Sequence, residues 1–246
     1  MTKTKVLSII IPVYNEEKYI SKTILQVVNS NSLGFKKEII IIDDGSTDTT
    51  YNLIKEFVKS INYRKMNVTF NLIKRVRNEG KGAALRSGFL KSTGDIVLVQ
   101  DSDLEYSPDD YSVLLEPFIK NNADVVYGSR FISQKPHRVL YFWHFLGNSL
   151  LTTLSNILTN INLTDMETGF KVFKGKIIRN LAKHLQSDRF GFEPEITAKI
   201  SKIKDIKIYE VGISYWGRTY KEGKKINWKD GVKTIWQIIR FNLFSN

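Results

Sequence analysis

Two aspartates one residue apart, Asp101-Ser102-Asp103, directly follow the apolar run Asp95–Gln100. Paired carboxylates at a strand end can turn toward one hard cation and leave coordination sites open for substrate phosphates. The same acids could instead prepare the helix that Pro108 opens. Glu105 either joins that shell or is simply solvated. A second pair, Asp43-Asp44, precedes Gly45-Ser46. Acids there can accept hydrogen bonds from a base or ribose, and Gly45 permits a tight turn. Capping of the next helix by Ser46 or Asp48 is compatible with that use. A third cluster, Asn78-Glu79-Gly80-Lys81-Gly82, opens a helical pattern. Glycine-rich turns at helix starts suit phosphate, and Lys81 adds positive charge. It is not a P-loop, because GxxxxGK[ST] is absent, and no GxGxxG follows the first strand.

Other chemistries have little to build on. His137, His144 and His184 share no metal-ligand spacing, and there is no GxSxG for a hydrolytic triad. The chain has no cysteine, which removes disulfides, thiolate nucleophiles and thiolate metal sites, and suits a reducing compartment. Arg218, Lys221, Lys224 and Lys225 are interleaved with Trp216, Tyr220 and Trp228. Such a segment could bind single-stranded nucleic acid, anionic lipid head groups or a diphosphate, or form a solvated charged face.

These clusters need a scaffold, and the pattern supplies one. Apolar β-rich runs fall at Val6–Ile11, Glu38–Ile42, Val68–Ile73, Asp95–Gln100 and Asp124–Tyr127. Helical patterns lie between them near Glu17–Asn29, Thr47–Lys59, Gly82–Lys91 and Pro108–Lys120. This alternation predicts an α/β fold: a mainly parallel central sheet with helices on both faces. Such sheets bind ligands beyond the carboxyl ends of their strands, where the polar motifs fall. Further on come an amphipathic tract from Val139 to Ile161, the polar segment LTDMETGFKVF, a helix near Glu193–Lys202 and a strand near Ile206–Val211. In the tract, Leu140, Trp143, Leu146, Leu150, Leu154, Ile157 and Ile161 recur every three or four positions. Five polar residues interrupt it, so it does not read as a membrane span.

The 246 residues suffice for one sizeable core, and 42% hydrophobic content excludes a disordered chain. With no linker or repeat visible, residues 1–246 read as a single domain. Its first 130 residues carry the regular alternation and the strand-end motifs, and residues 131–246 are less regular. A formal charge of +12 predicts an anionic partner. Ten basic against four acidic residues lie from Lys202 onward.

As a set, IIIPVYNEE, IIIDDGSTDTT, NEGKGAALRSG and STGDIVLVQDSDLEY resemble the family 2 glycosyltransferases of GT-A fold. The later segments GSRF, LTDMETGFKVF, RFGFEPEITAKI and YWGRTYKEGKKINWKDG resemble the polyprenyl-phosphate sugar synthases within it. The resemblance implies that Pro12, Tyr14 and Glu16 bind nucleotide and that Asp44, beside Asp43, reads the base or ribose. It places Lys81 near the nucleotide, Asp101 and Asp103 on Mg²⁺ or Mn²⁺, and Glu105 at the third ligand position. Arg130 falls at the acceptor-phosphate arginine. Arg218 and Lys225 fall in a basic clamp, where the spacing R-T-Y-K-E-G-K-K leaves open which lysine serves.

The implied reaction moves a hexose, mannose from GDP-mannose or glucose from UDP-glucose, to a dolichyl or undecaprenyl phosphate, with inversion. A phosphate monoester has its second pKa near about 6, so the acceptor is already anionic at neutral pH and needs no histidine base. In-line positioning, a cation and basic residues for the leaving diphosphate suffice. With a sugar hydroxyl as acceptor instead, a carboxylate base would be needed, and Glu167, Glu193 and Glu195 are on offer. A non-enzymatic nucleic-acid module is the remote alternative, since strand-end carboxylates repel phosphate. The expected setting is the cytoplasmic membrane face, bound peripherally through the Val139–Ile161 stripe and the basic tail. That stripe could instead pack on the core or on a second subunit, making a homodimer.

Overall fold

The computed structural model describes residues 5–60, 67–132, 138–139, 141–189, 191–217 and 228–244. Strands β1 (Val6–Val13), β2 (Lys36–Asp43), β3 (Val68–Lys74), β4 (Ile96–Val99) and β5 (Val125–Ser129) alternate with helices α1 (Ile20–Asn29), α2 (Thr50–Ser60), α3 (Lys81–Lys91) and α4 (Tyr111–Lys120). A 3₁₀ turn at Pro108–Asp110 precedes α4, with Ser107 accepting a hydrogen bond from the Asp109 N–H. Then come α5 (Phe142–Thr159), β6 (Lys171–Lys174), α6 (Gly175–Ala182), α7 (Phe192–Ser201), β7 (Ile208–Gly212), α8 (Trp228–Ile239) and a π-helical end at Arg240–Phe244.

The seven strands form one sheet in the order β3-β2-β1-β4-β6-β5-β7. Both faces are covered, which is why β1 and β2 read as unbroken apolar runs. Ile9, Ile11, Ile39 and Ile41 pack in one buried cluster. Ile10, Ile40 and Ile42 pack in the other. The alternation of period two thus feeds two cores, with α1, α2 and α4 over one and α3, α6 and α7 over the other.

The pattern left three named elements unread, β6, α6 and α8, the last within what reads only as a basic tail. Within the segment LTDMETGFKVF, taken only as polar, residues 171–174 are a central strand antiparallel to both β4 and β5. Its four residues begin and end with lysine, so no apolar run marks it. The Lys171 side chain is nevertheless buried and donates to the Thr168 carbonyl. The amphipathic tract also needs correction. Its residues do not share one face: Leu154 and Ile161 pack on the core beside Leu151 and Leu158. Trp143, Leu150 and Ile157, seven residues apart, point outward with exposures of 76%, 63% and 72%.

Candidate active site

Strands β1 to β5 and β7 run parallel and end on one side of the sheet, where the loops after the first of them interlock. After β1, Asn15 adopts φ 50°. Its side-chain oxygen accepts the Thr47 N–H at 2.9 Å, and its backbone N–H donates to Ser46. The Glu16 N–H donates to Thr50 Oγ1 at 2.9 Å. Pro12 lies buried within β1 opposite Ile42, Tyr14 is half-buried and Glu16 is buried. The first two motifs therefore form one wall.

Behind that wall Asp44 is the anchor. Its carboxylate accepts the Gly80 N–H at 2.7 Å and the Glu79 N–H at 3.3 Å, and pairs with Arg75 at 3.2 Å. Burial raises its pKa, while the Gly80 N–H and the charges of Arg75 and Arg189 pull the other way. Gly45 takes φ +73°, and a Cβ there would stand 2.6 Å from the Arg77 carbonyl carbon. Only glycine lets the two loops close so tightly. Asp43 differs from its neighbour: it is fully buried and, among the described residues, neither carboxylate oxygen has a hydrogen-bond partner. Native interiors keep few such atoms, so Asp43 is a ready acceptor for a ligand's N–H or hydroxyl.

Lys81 stands at the first position of α3 with its ammonium 2.9 Å from Asp101 and 3.2 Å from Glu193. Burial alone would lower its pKa, but those two carboxylates outweigh burial and hold it above the ordinary lysine value. Asp101 is pressed against backbone: a Cβ on Gly169 would lie 2.3 Å from Asp101 Oδ2. Asp103 Oδ1 accepts the Glu105 N–H at 3.2 Å. The Glu105 carboxylate accepts the Tyr215 hydroxyl at 3.0 Å, and its carbonyl accepts the Trp216 N–H.

Mg²⁺ commonly takes one or two carboxylates and fills the rest of its shell with water and substrate phosphates. The donors here fit such an ion. Two hard carboxylates, Asp101 and Asp103, leave one short loop, and Gly169 places no side chain against Asp101 Oδ2, which Lys81 Nζ reaches at 3.2 Å.

At the end of β5, Arg130 is gripped by Asp165. Its Nε donates at 2.6 Å and its Nη2 at 2.7 Å, with Asn148 Oδ1 at 3.2 Å from Nη2. The guanidinium lies 5.2 Å from the Tyr215 ring and 5.5 Å from that of Phe131. Tyr106 stacks on Tyr215 at 5.3 Å and accepts the Gly169 N–H at 2.9 Å. This aromatic shelf joins the Asp101–Glu105 loop to Arg130.

Asp165, Asn148, Tyr215 and Lys171 do not stand out in the sequence as site residues. Asn148 is one polar interruption of the Val139–Ile161 tract, and Asp165 and Lys171 fall in the polar segment LTDMETGFKVF. Glu167 and Lys171 are packed close together. Burial raises the carboxyl pKa, with the Glu193 charge adding to it, and burial lowers that of the amine. Glu195, offered as a base, is committed elsewhere: it accepts the Gln186 and Ser187 N–H groups at 2.8 and 2.7 Å. Arg218, Lys221, Lys224 and Lys225 lie outside the described residues.

A mainly parallel sheet with interlocked acidic loops at its carboxyl ends is the GT-A architecture. Residues 8–182 match the family model described as glycosyl transferase family 2. The chain belongs to that family. Among curated relatives, a Methanococcus voltae UDP-N-acetylglucosamine–dolichyl-phosphate N-acetylglucosaminyltransferase is 28% identical over 97% of both chains. A Trichomonas vaginalis dolichyl-phosphate beta-glucosyltransferase is 31% identical over 97% of this chain and 73% of that protein. A Pyrococcus furiosus dolichol-phosphate mannosyltransferase is 25% identical over 89% of this chain and 60% of its own length. Among solved structures, Mycobacterium tuberculosis glucosyl-3-phosphoglycerate synthase, in complex with Mn²⁺, UDP and phosphoglyceric acid, superposes with a TM-score of 0.67. That match is 18% identical and covers 98% of this chain and 80% of that one, a likeness of fold.

Proposed function

We propose that the chain transfers a hexose from a nucleotide sugar to a polyprenyl phosphate with inversion, as one domain. The observation that carries this reading is Arg130. A forked cation is held rigidly by Asp165 and joined through Tyr215 and Tyr106 to the paired acids of the neighbouring loop. Asp165 and Asn148 take the Nε and Nη2 donors, and the remaining guanidinium N–H groups on Nη1 suit a phosphate monoester. Relatives that carry dolichyl phosphate in their names support the acceptor class. Their glucosyl, mannosyl and N-acetylglucosaminyl names leave GDP-mannose and UDP-glucose both on the donor panel.

In this reading Pro12, Tyr14 and Glu16 form the nucleotide wall, and Asp43 and Asp44 engage base and ribose. Asp101 and Asp103 would hold Mg²⁺ or Mn²⁺, with Glu105 at the third position, and such an ion would supply positive charge for the departing diphosphate. Lys81 sits between Asp101 and Glu193, beside the nucleotide. Arg130 aligns the acceptor phosphate for in-line attack, and Arg218 and Lys225 close over the phosphates. The acceptor oxygen is already anionic at neutral pH, so no proton has to be removed. Incubation with a panel of GDP- and UDP-sugars, Mg²⁺ and a polyprenyl phosphate tests the reading; the expected product is a β-linked lipid phosphate sugar.

A sugar-hydroxyl acceptor is the second reading, favoured by Glu167, whose buried Oε1 has no hydrogen-bond partner among the described residues. Turnover of bare polyprenyl phosphate separates the two. Because the lipid stays in the bilayer, the chain would work at the cytoplasmic membrane face. No helix among the described residues is long and apolar enough to cross a membrane. Phe142, Trp143 and Leu150 on α5, with Val232, Ile235 and Trp236 on α8, offer an exposed apolar surface instead. Cosedimentation with vesicles should need anionic lipid and weaken as salt rises. Recovery in the supernatant whatever the lipid would leave that surface to a homodimer.

A further inference from the structure

A cavity of about 820 Å³ opens between residues 77–79, residues 186–189 with Gly191, and α8. None of Asp43, Asp44, Lys81, Asp101 and Arg130 lines it. Five cationic side chains converge there: Arg77, Arg86, Arg189, Lys233 and Arg240. Three are compensated locally, by Glu79 at 3.4 Å, Asp188 at 2.7 Å and Asp230 at 3.8 Å respectively for Arg77, Arg86 and Lys233. Among the described residues neither Arg189 nor Arg240 has a carboxylate within ion-pair distance; Arg240 donates to Gln186 Oε1 at 3.0 Å. The wall therefore keeps a positive excess.

Among the described residues two atoms of its lining side chains, Ser187 Oγ and Gln237 Oε1, are buried without a hydrogen-bond partner. The Ser187 hydroxyl can donate to an anion, whereas Gln237 Oε1 accepts and is served by a water. On α8 and its extension, Asp230, Lys233, Thr234, Gln237 and Arg240 recur at helical spacing along the cavity. A separate set, Val232, Ile235, Trp236 and Leu243, is exposed and apolar. A charged cavity and an outward apolar stripe thus share one helix. The cavity wall also abuts the nucleotide loop: a Cβ on Gly80 would stand 2.4 Å from the Asp188 carbonyl, and the Gly80 N–H holds Asp44.

We propose that this cavity is an anion site for a phosphate-bearing ligand, separate from the nucleotide-sugar cleft. The phosphate could belong to a bilayer lipid beside the apolar stripe or be free in solution, and the two arms of the test distinguish them. In the first arm, calorimetric titration with inorganic pyrophosphate is run in EDTA, so that no cation bridges the probe to Asp101 and Asp103. In the second, flotation compares phosphatidylcholine vesicles with and without phosphatidylglycerol. Both arms use wild type, the Arg189→Ala/Arg240→Ala double variant, Lys233→Glu and, as a charge-matched control far from the cavity, Lys55→Glu on α2. Lys233 is 76% exposed, so its replacement leaves the fold intact even if the double variant unfolds.

Wild type should bind at least one probe. Lys233→Glu should weaken that binding by about tenfold, the scale of one charge-assisted contact, with Lys55→Glu close to wild type. Pyrophosphate binding identifies a free phosphate, and cavity-dependent flotation without it identifies a lipid head group. Binding of neither probe, or equal losses in Lys233→Glu and Lys55→Glu, would overturn the proposal. No turnover enters either arm, so failure of the transferase reading would leave this result standing.

Discussion

Replacing Asp165 with Asn probes the acceptor side most sharply. The Asp165 carboxylate is fully buried and accepts hydrogen bonds from Arg130 Nε, Nη2 and backbone N–H, and from Asn148 Nδ2. An amide keeps the shape but withdraws the negative charge and turns one acceptor into a donor facing donors. Removing one partner of a buried pair costs about 3–5 kcal/mol. The Arg130 side chain retains 15% exposure, so the lower end, about 3 kcal/mol, applies. For a chain of this length each kcal/mol moves the unfolding temperature by about 2–4 °C, giving a drop of about 6–12 °C. The loosened fork should also raise the KM for polyprenyl phosphate by about 10- to 100-fold, the worth of one charge-assisted hydrogen bond. Calorimetry measures the first effect, and steady-state kinetics with donor and acceptor varied separately measures the second. An unchanged unfolding temperature, or a donor KM that suffers while the acceptor KM does not, would refute the reasoning.

Asp101→Ala and Asp103→Ala should each cut turnover by on the order of a hundredfold or more with circular dichroism unchanged; full activity of Asp103→Ala in EDTA would remove the metal role. Gly45→Ala forces a side chain into positive φ, at about 1–2 kcal/mol, and onto the Arg77 backbone, so lower stability and weaker nucleotide binding are expected by thermal melts and titration. Lys37, its ammonium held by the Val27, Val28 and Ser30 carbonyls, has its pKa pulled down to about 8 by burial. The unfolded chain, at the ordinary 10.5, binds more protons between those values, so wild-type stability rises there with pH. Urea titrations should show wild type gaining on Lys37→Met from pH 8 to 10.5, and a flat difference would reject the burial argument.

Much of this architecture was legible because its strands are buried on both faces. Residues 6–11 and 38–42 read as continuous apolar runs, and β1 and β2 form there, β1 extended by Pro12 and Val13 and β2 by Lys36, Lys37 and Asp43. The strand-end position of Asp43, Asp44 and Asp101 followed from the same alternation. What was hidden depends on pairing distant in sequence. The strand β6 is four residues with lysine at both ends, and only its neighbours β4 and β5 make it a strand. Asp165 is defined by Arg130, thirty-five positions away, and Glu193 by Lys81. On α5 the helical period was clear, but the choice of buried face was not. Apolar residues occur all round that helix, and the packing of α7 and α8 decides which ones are covered.

The central claim is transfer to a lipid phosphate. Its most direct measurement incubates the purified chain with radiolabelled nucleotide sugar, Mg²⁺ and a polyprenyl phosphate bearing no glycan, followed by extraction into organic solvent. Label is expected in a mild-acid-labile lipid phosphate sugar, absent in EDTA and with Asp103→Ala. Label that enters only acceptors carrying a sugar hydroxyl, with bare polyprenyl phosphate inert across the GDP- and UDP-sugar panel, would contradict it.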